Sequence, residues 1–199
     1  MGDTYYAIDD LAEGVYREKM SKFISYAIPV ETVEEVKEWL RVYQKKHFDA
    51  RHLCWAYMLG AERTEYASND NGEPSGTAGK PILGQINSHN LTNILIIVVR
   101  YFGGIKLGTS GLIVAYKQAA IEAITNANII ECHDMNELTF TFPFVSMNPV
   151  MQLIKKEKLD IVSQYFDNSC EITLSIRGDE FDRIRTTIDK IDGTSLKEG

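Results

Sequence analysis

The feature that most constrains the fold is an uninterrupted run of large apolar residues, Ile94–Val99. Nothing polar breaks the run, so it lacks the alternation of a half-exposed strand. Uniformly apolar strands of this length are typical of a sheet that is covered on both faces. The run therefore predicts a fully buried strand over Asn93–Tyr101, with Arg100 and Tyr101 emerging at its C-terminal end.

The segments on either side of this run are rich in turn residues. Ser68–Pro81 contains Asn, Asp, Gly, Pro and Ser and predicts a long loop. Phe102–Gly108 predicts a tight, glycine-rich turn, and small and apolar residues at helical spacing predict a helix over Gly111–Ala127. Thr109 or Ser110 is the predicted N-cap of this helix.

The rest of the chain predicts an α+β protein of two domains. Strands are predicted over Tyr5–Ile8, Lys22–Pro29 and His52–Leu59, and helices over Glu31–His47 and Pro81–His89. From Glu137 to Ile191 the predicted order is β-α-β-β-α, which is typical of a ferredoxin-like, split βαβ module. Its fourth strand would fall on Thr194–Lys197. We therefore expect one domain over 1–134 and a second over 135–199.

The net charge of −7 argues against a general polyanion binder, because such proteins are usually basic. The charge is unevenly distributed, since Ser68–Ala120 contains four cations and two acids. The cations are Lys80, Arg100, Lys106 and Lys117, and the acids are Asp70 and Glu73. This segment predicts a local basic patch within an acidic protein.

Three cysteines, Cys54, Cys132 and Cys170, are far apart in the chain and form no Cys-x-x-Cys pair. They predict free thiols in a reducing cytoplasm. His47 and His52 have no partner at a metal-ligand spacing, so neither a metal site nor a cofactor is expected. No apolar run reaches about 18 residues, so no membrane partner is expected. The sequence leaves the oligomeric state open.

Motifs of known phosphate-binding and nucleophile chemistry do not fit. A Walker A loop at Gly79–Lys80 would have proline at two of its required positions. The glycines of Gly103–Gly108 lack the spacing of a dinucleotide-binding fingerprint. Gly108–Leu112 misses the nucleophile-elbow pattern by one residue. No catalytic residue is therefore predicted, although a spatially assembled site remains an open alternative.

The turn before the predicted helix instead suggests an anion site. Closely spaced glycines expose N–H groups at a helix start, where the dipole and the unpaired amides attract an anion. Two aromatic residues of the turn offer stacking faces for an unpaired base. The alternative is that the glycines only form the turn, the aromatic residues are core, and Arg100 pairs with Glu73 or Asp70. The predicted nucleic-acid or anion-binding residues are Lys80, Arg100, Tyr101, Phe102, Gly103, Gly104, Lys106 and Lys117.

Two blocks of this region follow a family pattern. Asp70–Pro81 reads D-N-G-E-P-S-G-T-A-G-K-P, and Arg100–Gly108 reads R-Y-F-G-G-I-K-L-G. They resemble the acidic loop D-x-G-E-P-x-G-T-A-G-x-P and the R-Y-F-G-G and K-L-G block of the IMPACT family, in its bacterial, two-domain YigZ type. The loop-motif residues are Asp70, Gly72, Glu73, Pro74, Gly76, Thr77 and Gly79.

The resemblance implies a fold and a class of partner. The N-terminal domain would be similar to the second domain of a small-subunit ribosomal protein and to domain four of elongation factor G. The C-terminal domain would be similar to the ferredoxin-like domain five of that factor. Proteins of this shape contact ribosomal RNA or other nucleic acid, and eukaryotic members of the family regulate translation under stress.

Three hypotheses follow for the function. The first is a non-catalytic, translation-associated regulator that binds RNA or the ribosome, with a translation factor or another protein as a further partner. The second is an enzyme or small-ligand and phosphate binder that acts at a Glu73/Arg100 loop pocket. The third is a protein-interaction adaptor.

Overall fold

The computed structural model describes residues 4–167 and 169–197. These residues form two compact units. The N-terminal unit comprises Tyr5–Cys132, and the C-terminal unit comprises Thr4 and the described residues from His133 onward. Within the described part of the chain, no helix is both long and apolar enough to cross a lipid bilayer.

The N-terminal unit is built on a five-stranded antiparallel sheet. The elements up to His133 are β1 (Thr4–Ile8), β2 (Ala12–Glu18), β3 (Ser21–Pro29), α1 (Val33–Lys46), β4 (His52–Leu59), β5 (Glu65–Asn69), α2 (Gly79–Ser88), β6 (Ile94–Tyr101), α3 (Gly108–Asn126) and β7 (Ile129–His133). The sheet order is β2-β3-β6-β4-β5, so β6 lies at the centre. Strands β1 and β7 pair separately in a two-stranded sheet.

The central strand β6 is buried on both faces. Every residue from Ile94 to Arg100 is buried, which confirms the predicted fully buried strand. Its even-numbered apolar side chains pack in a cluster that contains residues of α2 and α3. Its odd-numbered ones pack in a second cluster that contains residues of α1. Burial of each such side chain contributes about 1.5–3 kcal/mol, so helices on both faces stabilise the sheet.

Helix α1 lies within the predicted helix Glu31–His47 and begins at a capping box. The Thr32 side chain accepts a hydrogen bond from the backbone N–H of Glu35 at 3.2 Å. The Glu35 carboxylate in turn accepts the backbone N–H of Thr32 at 3.3 Å. These bonds satisfy donors that the first turn of a helix leaves unpaired. Val36 and Tyr43 form the buried face of the helix.

The C-terminal unit has a four-stranded antiparallel sheet. Its elements are β8 (Met135–Phe142), α4 (Met147–Glu157), β9 (Asp160–Phe166), β10 (Cys170–Arg177), α5 (Phe181–Asp189) and β11 (Ser195–Leu196). The strand order is β11-β8-β10-β9. The predicted β-α-β-β-α order is confirmed, and β11 pairs with β8 within the segment predicted as the fourth strand.

The structure corrects the predicted helix starts. Helix α2 begins at Gly79, before the predicted Pro81, and α3 begins at Gly108. The predicted N-cap at Thr109 or Ser110 is wrong, because Leu107 occupies the cap position without a capping side chain. Leu107 packs against the apolar cluster beneath α2 and α3, so tertiary packing fixes the helix start. The sequence did not predict β7, which is only partly buried and carries polar residues.

Candidate anion-binding cleft

Asp70 orders the loop between β5 and α2. Its carboxylate accepts backbone N–H groups of Gly76 at 2.8 Å, Ala78 at 3.0 Å and Gly79 at 2.8 Å. Burial alone would raise the pKa of Asp70, but these three donors and the charge of Lys80 outweigh it and lower the pKa below its ordinary value. The carboxylate therefore accepts hydrogen bonds from backbone N–H groups at the start of α2, where the N-cap residue has no side-chain hydrogen bond of its own.

Glu73 connects the same loop to the sheet and to α3. Its Oε1 accepts hydrogen bonds from Nη1 of Arg100 at 2.7 Å and from the hydroxyl of Tyr116 at 2.8 Å. The side chains of Arg100 and Glu73 are only 7% and 4% exposed. The pairing of Arg100 with Glu73, which the sequence left as an alternative, is therefore present. It joins the two sequence blocks that carry the family resemblance.

A buried thiol lies beside this ion pair. The Sγ of Cys54 donates to the backbone carbonyl of Asp70 at 2.9 Å. Burial raises the pKa of Cys54 to about 12, so the thiol is protonated near neutral pH. Burial, with the neighbouring Cys54 and Glu73, also raises the pKa of Tyr116 far above its ordinary value. Both groups therefore act as neutral hydrogen-bond donors.

Arg100 lies close to two aromatic rings. Its guanidinium carbon lies 5.6 Å from the ring centroid of Phe23 and 5.5 Å from that of Phe102. The Nε of Arg100 is buried and has no hydrogen-bond partner among the described residues. The backbone that follows Phe102 is also fixed, because a Cβ on Gly103 would lie 2.0 Å from the carbonyl carbon of Met20. No side chain fits at Gly103 without a backbone shift.

A cleft of about 380 Å³ opens beside this ion pair. Its walls include Arg51, which precedes β4, His52 in β4, Arg100 in β6, Phe102, which follows β6, and Lys106. Gly108 and Thr109, at the start of α3, line the cleft as well. The N–H groups of a first helical turn have no partner within the helix, and here the N-cap residue Leu107 provides no side-chain hydrogen bond to them.

The cleft has an excess of positive charge. Glu73 is the acid among its lining residues, and Arg100 neutralises it. Arg51 and Lys106 are both exposed, and neither forms an ion pair with any described residue. The helix dipole adds partial positive charge at the same place. The arrangement suits an anionic group such as a phosphate.

Tyr101 belongs to a hydrogen-bond chain on the other face of the sheet. Its hydroxyl donates to Oδ1 of Asp49 at 3.0 Å and lies 2.9 Å from Nδ1 of His47. The Nε2 of His47 lies 2.8 Å from the hydroxyl of Tyr26. The single hydroxyl proton of Tyr101 is used in the bond to Asp49, so Nδ1 of His47 is the donor to the Tyr101 oxygen. In a neutral imidazole the other nitrogen, Nε2, then accepts the hydrogen bond from Tyr26. Burial lowers the pKa of His47, which agrees with this neutral form.

The structure brings some of the predicted residues together and separates others. Arg100, Phe102 and Lys106 line the cleft, as do Glu73 and Pro74 of the loop motif. Lys80 and Lys117 are exposed on α2 and α3 and do not line the cleft, whereas Tyr101 lines a neighbouring one. Gly72, Gly76, Thr77 and Gly79 lie in the loop or at the start of α2, and Gly103 and Gly104 form the turn after β6.

Sequence reasoning missed Arg51, His52 and Thr109. Antiparallel pairing of β4 with β6 places His52 opposite Arg100, which brings Arg51 to the cleft. This pairing is a long-range feature, and no motif in the sequence marks Arg51. The sequence indicated Thr109 only as a helix cap. Its position at the start of the helix was the signal that could have placed it in the anion site.

Comparison with known proteins decides the family. The family model of the Impact N-terminal domain matches residues 19–124, which is more than half of the chain. The chain belongs to the IMPACT family. It is similar to IMPACT family member YigZ of Escherichia coli strain K12, with 34% identity over 138 residues that cover 68% of each chain. The bacterial, YigZ-type resemblance of the sequence is thereby confirmed.

Two further matches extend this result. IMPACT family member YvyE of Bacillus subtilis strain 168 is 37% identical over 128 residues, which cover 64% of this chain and 59% of that protein. A crystal structure described as that of a hypothetical protein superposes with a TM-score of 0.73 at 25% identity. That superposition covers 98% of this chain and 97% of the other, so the two-unit mixed α/β architecture is shared.

Proposed function

We propose that this IMPACT family protein is a translation-associated regulator that binds RNA on the ribosome through the cleft beside α3. Family membership supports the association with translation. The observation that supports RNA binding is the combination of Arg51 and Lys106, which have no ion-pair partner among the described residues, with the uncapped first turn of α3. Phosphate groups bind at such positions, where cations and unpaired amides converge.

The acidic remainder of the protein limits this binding to a small area. With a net charge of −7, long-range attraction to RNA is weak or repulsive outside the cleft. Binding then depends on a few phosphate contacts rather than on a broad basic face. Such contacts release counterions, so the affinity falls as the salt concentration rises.

The same proposal includes the type of each domain, the domain boundaries and the cellular location. The strand order β11-β8-β10-β9, with α4 and α5 in the connections, supports a ferredoxin-like C-terminal domain. We place the domains at 1–134 and 135–199 and liken the N-terminal one to domain four of elongation factor G. The three cysteines are free thiols, which supports a location in the cytoplasm.

A small phosphorylated ligand is the second candidate for the same cleft. The volume of about 380 Å³ lies within the range of small-molecule sites. The same cations and amides would hold its phosphate. A thermal-shift screen with nucleotides and phosphorylated metabolites tests this candidate, and a melting temperature that no ligand raises would remove its support.

Co-sedimentation with ribosomes tests the principal proposal. We expect the wild-type protein to pellet with ribosomes at low salt and to dissociate as salt is raised. The double variant Arg51→Ala/Lys106→Ala should pellet several-fold less, because it removes two phosphate contacts. The matched control is Lys37→Ala/Lys45→Ala, which removes the same charge from exposed positions on α1.

Two outcomes would contradict the proposal. One is a pelleted fraction that does not change with salt or is absent at every salt concentration. The other is an equal loss of binding in the α1 control, because net charge and not the cleft would then account for the effect. A thermal melt of each variant confirms that the fold is retained.

A further inference from the structure

The ring of Phe102 is half-exposed. The side chain lines the cleft, and 49% of its surface is exposed. Single exposed apolar residues are ordinary in proteins, so exposure alone carries no meaning. Phe102 differs because its ring is held by a buried guanidinium, that of Arg100, at 5.5 Å.

A continuous set of buried contacts holds this ring in place. Glu73 and the Phe23 ring fix Arg100, and the Tyr116 hydroxyl donates to the same carboxylate oxygen of Glu73. The rings of Phe23 and Tyr116 meet edge to face, with centroids 5.2 Å apart. The acidic loop therefore positions Phe102 through Arg100. A ring that is already ordered loses little conformational entropy when a ligand stacks on it.

The ring and the phosphate-binding groups share one cleft. Phe102, Arg51 and Lys106 all line the cavity of about 380 Å³. Phe102 also lines a second cleft of about 380 Å³, together with Asp49, Arg51 and Tyr101. A strand that passes from one cleft to the other crosses the aromatic ring. Cations for the backbone and an aromatic face for a base are the two parts of a single-strand binding site.

Building on the proposed RNA binding, we infer that the RNA bound at this site is single-stranded. One of its unpaired bases stacks on Phe102, and one of its phosphates binds at Arg51 and Lys106. The exposed part of the Phe102 ring provides the stacking face for this base. A duplex cannot bind in this way, because its bases are already stacked on each other. Every base has an aromatic face, so the site accepts all four bases.

Oligonucleotide binding with three matched ligands tests this inference. The ligands are a short single-stranded RNA, an abasic strand with the same number of phosphates, and the same RNA annealed to its complement. The wild-type protein should bind the single strand more tightly than either of the others. Phe102→Ala should weaken single-strand binding by about 5- to 150-fold, which is the range for one lost stacking contact. It should leave abasic-strand binding unchanged.

Two further variants separate stacking from a structural role. Phe102→Tyr keeps the aromatic face and should bind the single strand nearly as the wild type does. Phe102→Leu keeps an apolar side chain and should lose affinity as Phe102→Ala does. If all three variants lose affinity for the abasic strand as well, the ring only supports the cleft and the stacking inference is overturned.

The remaining outcomes distinguish this inference from the function on which it rests. Equal wild-type affinity for the single strand and the abasic strand would overturn base stacking and leave RNA binding by charge intact. Binding of neither strand at low salt would overturn both. If a nucleoside monophosphate binds as tightly as the oligonucleotide, the inference that the cleft binds an RNA strand is overturned. The cleft would then be a small-ligand site.

Discussion

Replacing Glu73 by alanine is expected to lower the free energy of unfolding of the N-terminal unit by about 3–5 kcal/mol. The substitution leaves Arg100 buried without its counterion, since 7% of its side chain is exposed. It also removes the acceptor of the Tyr116 hydroxyl. Urea denaturation followed by tryptophan fluorescence measures the loss, because both tryptophans, Trp39 and Trp55, belong to this unit.

Two control variants show whether burial causes this effect. Glu34→Ala removes an exposed partner of Lys37 and should leave the unfolding transition almost unchanged. Glu73→Leu combined with Arg100→Met should recover much of the stability that Glu73→Ala loses, because an apolar pair needs no compensating charge. A loss below about 1 kcal/mol for Glu73→Ala would contradict the assigned ion pair.

Replacing Asp70 by alanine is the second substitution with a large expected effect. It leaves the N–H groups of Gly76, Ala78 and Gly79 without their acceptor. Hydrogen bonds to a charged group contribute about 1.5–3 kcal/mol each and are not additive, so we expect a loss of about 3 kcal/mol. The same urea titration measures it. A loss within experimental error would contradict the role of Asp70 in ordering the loop.

The pH dependence of stability gives an independent check on Asp70. Its pKa is lower in the folded protein than its ordinary value of 3.8, so the unfolded chain binds the proton more tightly. The stabilisation by the carboxylate is therefore complete above the ordinary value and is lost as the pH falls through the folded pKa. The wild type should lose more stability than Asp70→Asn between about pH 5 and pH 3. Parallel pH profiles would contradict the assignment.

The sequence predicted the elements that local patterns determine. The apolar run of β6 indicated burial on both faces, and the helix predicted over Glu31–His47 contains α1. The pattern of the two sequence blocks also identified the family. In the structure the two blocks form one connected unit, because Glu73 of the first block binds Arg100 of the second.

The cleft was only partly predictable, because its geometry depends on tertiary contacts. Arg51 reaches it through the register of β4 against β6, and local sequence does not encode that register. The start of α3 depends on the packing of Leu107, which overrides the capping preference of Thr109 and Ser110. For Arg100 the sequence offered two interpretations, and only the fold shows that its charge is paired with Glu73.

The salt dependence of binding to a short single-stranded RNA tests the central claim most directly. The slope of log K against log salt concentration should be negative for the wild type. It should be shallower by about 1.4 in Arg51→Ala/Lys106→Ala, because each phosphate contact to a single strand contributes about 0.7. The control Lys37→Ala/Lys45→Ala should keep the wild-type slope. Equal slopes for the wild type and the cleft variant would contradict phosphate binding at this cleft.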